Sequence, residues 1–237
     1  MRKPRYSGFT LVELLVVIVI VVTLAGLTSA FLPRALKKGA QTKAIAQMRQ
    51  MSSAFELYAK DHSNRIPPVV TSAEESEEKR ETPWFYYLEQ MNSSKELDVY
   101  FKDKWWRENT TSIYINPMHP KKGLGAKSTG YAMNAALAYN VAVSRGEKLD
   151  PADAKYVGVN LNAVPDGTKT PIIITHWASS YTGDTKEMSD KRFEPYVVND
   201  RLPVLFLDSH VETMTPKEYA ARGLNLVPKP ENADSGN

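Results

Sequence analysis

Residues 9–32 read FTLVELLVVIVIVVTLAGLTSAFL, a run of 24 residues whose single formal charge is Glu13. Wound as a helix rising about 1.5 Å per residue, the run measures roughly 36 Å and crosses a hydrocarbon core of about 30 Å. Ahead of it stands MRKPRYSG, with Arg2, Lys3 and Arg5 and no acidic residue. A basic flank of this kind predicts a cytoplasmic N-terminus, with the large remainder on the far side of the membrane.

Two features set this segment apart from a plain anchor. A carboxylate at the centre of a bilayer helix costs about 2.5–3.5 kcal/mol, so Glu13 calls for a partner. Gly8 places a small residue at the junction between the basic and the apolar segments. Cleavage between Gly8 and Phe9 would free an α-amino group four residues before Glu13. In a bundle of parallel subunits, Glu13 of one chain would then pair with the positive N-terminus of its neighbour, neutralising both charges and setting the axial register.

Gly8-Phe9-Thr10-Leu11-Val12-Glu13 resembles the cleavage signal of type IV prepilins and type II secretion pseudopilins. The resemblance implies removal of residues 1–8 by a prepilin peptidase, N-methylation of Phe9 and a role for Glu13 in assembly. It also implies a place in a bacterial inner membrane and, as partners, other pilin or pseudopilin subunits, the peptidase/methyltransferase and an inner-membrane assembly platform. Two readings without polymerisation stay open. One is a secretory signal peptide cut after Thr28-Ser29-Ala30, leaving Phe31 first; its apolar segment would be unusually long and would hold a glutamate. The other is a signal anchor whose Glu13 snorkels to the headgroups. Either would deliver a secreted or membrane-anchored periplasmic binding domain.

Beyond Pro33 the pattern turns amphipathic. Ile45, Met48, Met51 or Ser52, Phe55 and Tyr58 recur at helical spacing, with Lys43, Gln47, Arg49, Gln50 and Lys60 between them. The predicted helix continues over 33–62, with a kink at Pro33 as it leaves the bilayer, and stops at His62-Ser63-Asn64 before Pro67-Pro68. Thr71 to Glu81 is charge-dense and reads as a solvated loop, or else as an acidic contact patch. Pro83 to Leu88 reads as a short helix. Ile113-Tyr114-Ile115, Tyr156 to Leu161, Pro171 to Thr175 and Pro203 to Leu207 read as strands. Val204–Leu207 and Val211–Met214 form the arms of a hairpin turning near Asp208-Ser209. Thr215-Pro216-Lys217-Glu218 opens a helix through a capping box, and Gly223 stops it.

The predicted fold is therefore α+β and pilin-like, a long N-terminal helix packed on a small antiparallel sheet. Its parts are a leader (1–8), a transmembrane helix (9–32), its amphipathic continuation (33–62), a globular periplasmic or extracellular domain (63–227) and a disordered tail (228–237).

Composition narrows the function. Of the 30 Lys and Arg, three lie in the first eight residues, and the remaining 27 balance 27 acidic residues. A neutral remainder offers no electrostatic footprint for nucleic acid. With no cysteine there are no disulfides and no thiolate sites. No nucleophile elbow, HExxH helix or phosphate loop is present, and four histidines (His62, His119, His176, His210) are scattered without metal-ligand spacing. Ser179, Ser180 and His176 join Asp208 and His210 as a hydrolase triad only on paper, so no enzyme and no cofactor is expected. Asp208 and His210 read first as turn hydrogen-bonding groups and second as candidate ligands for Ca²⁺. Some pseudopilins bind calcium through loop carboxylates, but that motif does not map onto this chain. Trp105 and Trp106 lie among Lys102, Lys104 and Arg107 and read as a half-buried pair. Phe206-Leu207-Asp208-Ser209-His210-Val211 and Tyr131-Ala132-Met133-Asn134 are similar to C-terminal elements of planctomycete-type pilin-like proteins. Ser209 replaces their turn glycine, and Val198 stands where they often carry a histidine.

Overall fold

A 51-residue helix, α1 (Leu11–Asp61), dominates the computed structural model, which describes residues 9–72, 81–92, 112–119, 129–150, 153–176, 180–181 and 196–222. The helix runs through Pro33 without a break. The chain forms two units, Met1–Gly39 and Ala40–Asn237. In the first, every described side chain from Phe9 to Gly39 is exposed, with apolar residues ranging from 48% at Val16 and Val17 to 81% at Leu11.

In the second unit, α1 presents a buried stripe of Ala44, Met48, Met51, Phe55 and Ala59, the spacing expected of a helix with one apolar face. Met51 and Ser52 are both buried, whereas Ile45 and Tyr58 are only half-buried. Gln47, placed by its polarity among the solvated residues, is in fact buried. Its amide donates to the carbonyls of Ser112 (3.3 Å) and Ile115 (3.2 Å), and its Oε1 accepts from the Tyr131 hydroxyl at 2.8 Å. Phe55 stacks on Trp84 with centroids 5.7 Å apart, and Trp84 meets Tyr114 edge-on. The helix ends where Ser63 and Asn64 enter left-handed backbone (φ 54° and 59°), and the Asn64 N–H closes onto Ala59 O at 2.8 Å.

Two short strands, β1 (Val70–Ser72) and β2 (Glu81–Pro83), pair antiparallel and lead into α2 (Trp84–Asn92). The main sheet comprises β3 (Tyr131–Asn134), β4 (Pro171–Thr175), β5 (Ser180–Tyr181), β6 (Leu202–Phe206) and β7 (Val211–Met214). Their spatial order is β5-β3-β4-β6-β7. Four strands run antiparallel, and the short β5 lies parallel on the edge of β3. A helix, α3 (Leu137–Ser144), follows β3, and α4 (Pro216–Ala221) follows β7.

The period-2 alternation of a strand divides β6 between two cores. Leu205 joins the cluster that includes the α1 stripe, Trp84 and Ile173. Leu202, Val204 and Phe206 join Ile174, Met214 and Tyr219 on the other side. This is the α+β arrangement predicted, a long helix on an antiparallel sheet.

Two predicted strands are absent. Residues 156–161 instead span the end of a 3-10 turn at Ala154–Tyr156 and the start of another at Leu161–Ala163, joined by an isolated bridge between Asn160 and Arg65. The chain after α1 passes so close that a Cβ on Gly158 would fall 2.7 Å from the Ile66 carbonyl. That crossing makes single bonds, such as Ile66 N–H to Val159 O at 3.0 Å, in place of a ladder. Residues 113–115 form a turn, with the Ser112 hydroxyl accepting from the Tyr114 N–H. The leader, residues 73–80 of the acidic stretch, Trp105-Trp106, Gly223 and the tail lie outside the described residues.

Candidate functional site

Phe9 precedes the helix and is 75% exposed; Gly8 lies outside the described residues. Thr10 caps α1. Its backbone N–H and its hydroxyl both donate to Oε2 of Glu13, each at 2.8 Å, and the Glu13 N–H points back at the Thr10 hydroxyl at 3.3 Å. This is a capping box, in which two N-terminal donors are satisfied by side chains of the same turn. Among the described residues both contacts to the carboxylate fall on Oε2 and none on Oε1. Glu13 thus has a partner inside its own chain, Thr10. The Thr-x-x-Glu spacing that announces the cap at Thr215 is present here too, and sequence reading overlooks it because the apolar run draws attention to the assembly role alone.

Among the described residues one helix segment, Leu11–Ser29, is long and apolar enough to cross a membrane, with a mean hydropathy of 2.8 over 19 residues. Its hydroxyls are answered within the helix: Thr23 donates to Ile20 O, Thr28 to Leu24 O and Ala25 O, and Ser29 to Gly26 O, all within 2.9–3.0 Å. A segment whose polar groups are satisfied internally suits hydrocarbon, where an unpaired donor is costly.

Asp208 and His210 are brought together, but by their own turn. The Asp208 Oδ1 accepts from the His210 backbone N–H (3.3 Å) and lies against its ring Nδ1, while that ring stacks on Phe206 at 4.2 Å. The turn is a three-residue loop of Leu207, Asp208 and Ser209. Ser209 N–H donates to Phe206 O, Phe206 N–H donates to His210 O, and Ser209 sits at φ 76°. That is the bulged hairpin in which glycine is usual at the left-handed position, and the Ser209 hydroxyl also donates to Glu56 at 2.7 Å. Among the described residues no three His, Asp or Glu side chains group as metal ligands. Three other histidines sit in separate settings: His62 against Tyr58, His119 against the Tyr196 hydroxyl, and His176 on the Gly130 carbonyl through its backbone. Ser179 lies outside the described residues. Of the second C-terminal element, Asn134 bridges Pro171 O and the Ala136 N–H, and Tyr131 bonds Gln47, so both act as buried structural groups. Burial pushes the Tyr131 phenol well above its ordinary range.

Residues 3–29 match the family of the prokaryotic N-terminal methylation motif. The chain is 42% identical over 67 residues to the type II secretion system core protein G of Aeromonas hydrophila. That match covers 28% of this chain and 46% of the relative, so the chain spans about half the length of the curated protein it resembles. No solved structure gives a significant match. The chain thus carries a prokaryotic N-terminal methylation motif at the head of an apolar span, followed by a helix packed on an antiparallel sheet, and its similarity to a type II secretion protein lies in 67 residues.

Proposed function

We propose that this protein is a structural subunit of a type IV pilus-like or type II secretion pseudopilus assembly and has no catalytic activity of its own. The observation that carries the reading is the methylation motif over residues 3–29, which supports it together with the Thr10 cap on Oε2 of Glu13. A prepilin peptidase on the cytoplasmic face cuts between Gly8 and Phe9, and the new Phe9 amine is N-methylated. Arg2, Lys3 and Arg5 keep that end in the cytoplasm, and the sheet domain folds in the periplasm. Within the membrane Oε2 of Glu13 stays on its Thr10 cap while Oε1 accepts the charged amine of a neighbour's Phe9. Neutralising two charges in a low-dielectric medium favours the register that brings them together. The partners are other pilin or pseudopilin subunits, the peptidase/methyltransferase and the assembly platform. The turn groups Asp208 and His210 serve the hairpin, and we assign no resident cofactor.

The mass of the N-terminal peptide, taken from membranes of a host with the processing enzymes, tests this. N-methylated Phe9 at the first position supports the reading. A chain beginning at Phe31, or one retaining Met1 in a monomer, would sink it in favour of a periplasmic domain that does not polymerise.

A further inference from the structure

In the strand order β5-β3-β4-β6-β7, the last strand has one hydrogen-bonded neighbour, β6. An edge strand offers its outward N–H and C=O groups to any second strand that arrives. The register tells which groups those are. Thr213 stands opposite Pro203, which has no N–H, so the ladder bonds fall on Val204–Glu212 and Leu202–Met214. The bond from Phe206 N–H to His210 O, at 2.9 Å, keeps the same alternation. Val211 and Thr213 therefore turn their N–H and C=O groups outward.

Among the described residues, one of these four groups is taken. The guanidinium of Arg201 donates to Thr213 O from Nε (3.2 Å) and from Nη2 (2.7 Å). The Glu218 carboxylate holds it there, with Nη1 on Oε1 at 3.0 Å and Nη2 on Oε2 at 2.9 Å. Glu218 is fixed in turn by the Thr215 N–H at 2.8 Å. The backbone of Arg201 is tied as well, its carbonyl accepting from the side-chain amide of Gln41 at 3.0 Å. Contacts from α4 and α1 thus fix one side chain across the edge of β7.

That edge is complementary to itself. Two copies of β7 running antiparallel about Glu212 would pair Val211 of each with Thr213 of the other. Four bonds would form, and two of them would end on a Thr213 carbonyl. Arg201 already occupies that acceptor with two donors. The pairing would also set Glu212 against its own copy, and like charges directly opposite are unfavourable. Arg222 neutralises Glu212 through bonds of 2.5 and 2.7 Å, which leaves Arg201 as the stronger obstacle.

We infer that Arg201 guards this edge: by holding Thr213 O it keeps β7 from adding to the β7 of a second copy. The guard belongs to the sheet domain and does not depend on the subunit reading above.

The chain has no cysteine, so a single introduced thiol reports the register. In the symmetric pair the two copies of position 212 face each other without mutual hydrogen bonds, their Cα atoms about 4.5 Å apart, within reach of a disulfide. Detergent-solubilised full-length Glu212→Cys is oxidised with and without Arg201→Met, which keeps an apolar stem and removes the donors. The disulfide-linked dimer is expected to rise several-fold with Arg201→Met. Adding Thr213→Pro deletes an outward N–H and no ladder bond, so the yield should return to its starting level. Equal yields with and without Arg201→Met overturn the inference. So does a gain that survives Thr213→Pro, because association through unfolding has no need of that N–H.

Discussion

The two parts of α1 obey different rules. Phe9 to Leu32 is far the more apolar, yet its apolar side chains are exposed. Ala40 to Asp61 carries charges throughout, yet buries Ala44, Met48, Met51, Phe55 and Ala59. Apolar content alone therefore does not predict burial in this chain. A helix apolar on every side requires an apolar medium or many neighbours, whereas a striped helix requires one complementary face. Among the described residues the first part has no face buried by the chain, whereas the second packs on its own sheet.

Paired substitutions can break this comparison. The largest effect is expected for Met48→Ala, which removes a fully buried side chain and should cost about 2–5 kcal/mol in chemical denaturation of the detergent-solubilised full chain. Val19→Ala in the exposed part should leave that transition unchanged. Equal shifts for the two would mean that the anchor is packed within the monomer.

Polar residues sharpen the contrast. Gln47→Ala leaves the Tyr131 hydroxyl only a long bond to Ala44 O (3.4 Å) and takes the side-chain donor from the carbonyls of Ser112 and Ile115, a loss of about 1–3 kcal/mol. Thr23→Ala removes only a bond to a carbonyl of its own helix, so its denaturation midpoint should stay put. A smaller gain is expected from Ser209→Gly. Relief of the left-handed serine, minus the lost bond to Glu56, should net about 0.5 kcal/mol in favour of the fold. A destabilised variant would show that the Glu56 contact outweighs the backbone strain.

The two Thr-x-x-Glu caps supply the last and smallest test. Glu218 accepts from the Thr215 N–H and meets Arg201 at 2.9 Å, and Arg201 also donates to Thr213 O on the outer strand. The Thr215 N–H holds the Glu218 carboxyl below its usual range, with Arg201 adding to the effect, and Arg222 does the same for Glu212. A carboxylate whose folded pKa is lowered contributes stability above its unfolded pKa and loses it as pH falls through the folded value. Acidification below the ordinary carboxylate range should therefore weaken the β7–α4 corner, and Glu218→Gln should flatten that part of the stability–pH curve. At the other cap, Thr10→Val should leave the fold of the sheet domain intact. Its effect is expected in the yield of cross-linked subunits, where a stability measurement is blind.

Several elements could be read directly from contiguous residues. The apolar span, the Gly8-Phe9 junction with Glu13, the stripe through Met48 and Phe55, the strand Pro171–Thr175, the hairpin arms and the Thr215 cap all depend on residues within a few turns of one another. Periodicity, capping spacing and transfer energy act at that range, so the α+β class and the membrane-length helix follow from the chain's own order. The Thr10 cap was equally legible, since its signal is a four-residue spacing.

Other features required the folded chain. Gln47 is buried because a turn at residues 112–115 and Tyr131 in β3 bring a hydroxyl donor and carbonyl acceptors to it, and no local pattern marks such partners. Tyr156 to Leu161 has strand-forming residues, but the segment that crosses it at Ile66 leaves no room for a ladder. A cleft beside α3 likewise gathers Arg65 with Arg145 and Lys148, from two distant stretches of chain. The sequence by itself settled which segment is long and apolar enough to cross a membrane and which segments take which periodicity, because those are local free energies. Tertiary structure decided which polar groups are satisfied and which charges are neighbours, because these depend on contacts that exist only after the chain has closed its long loops.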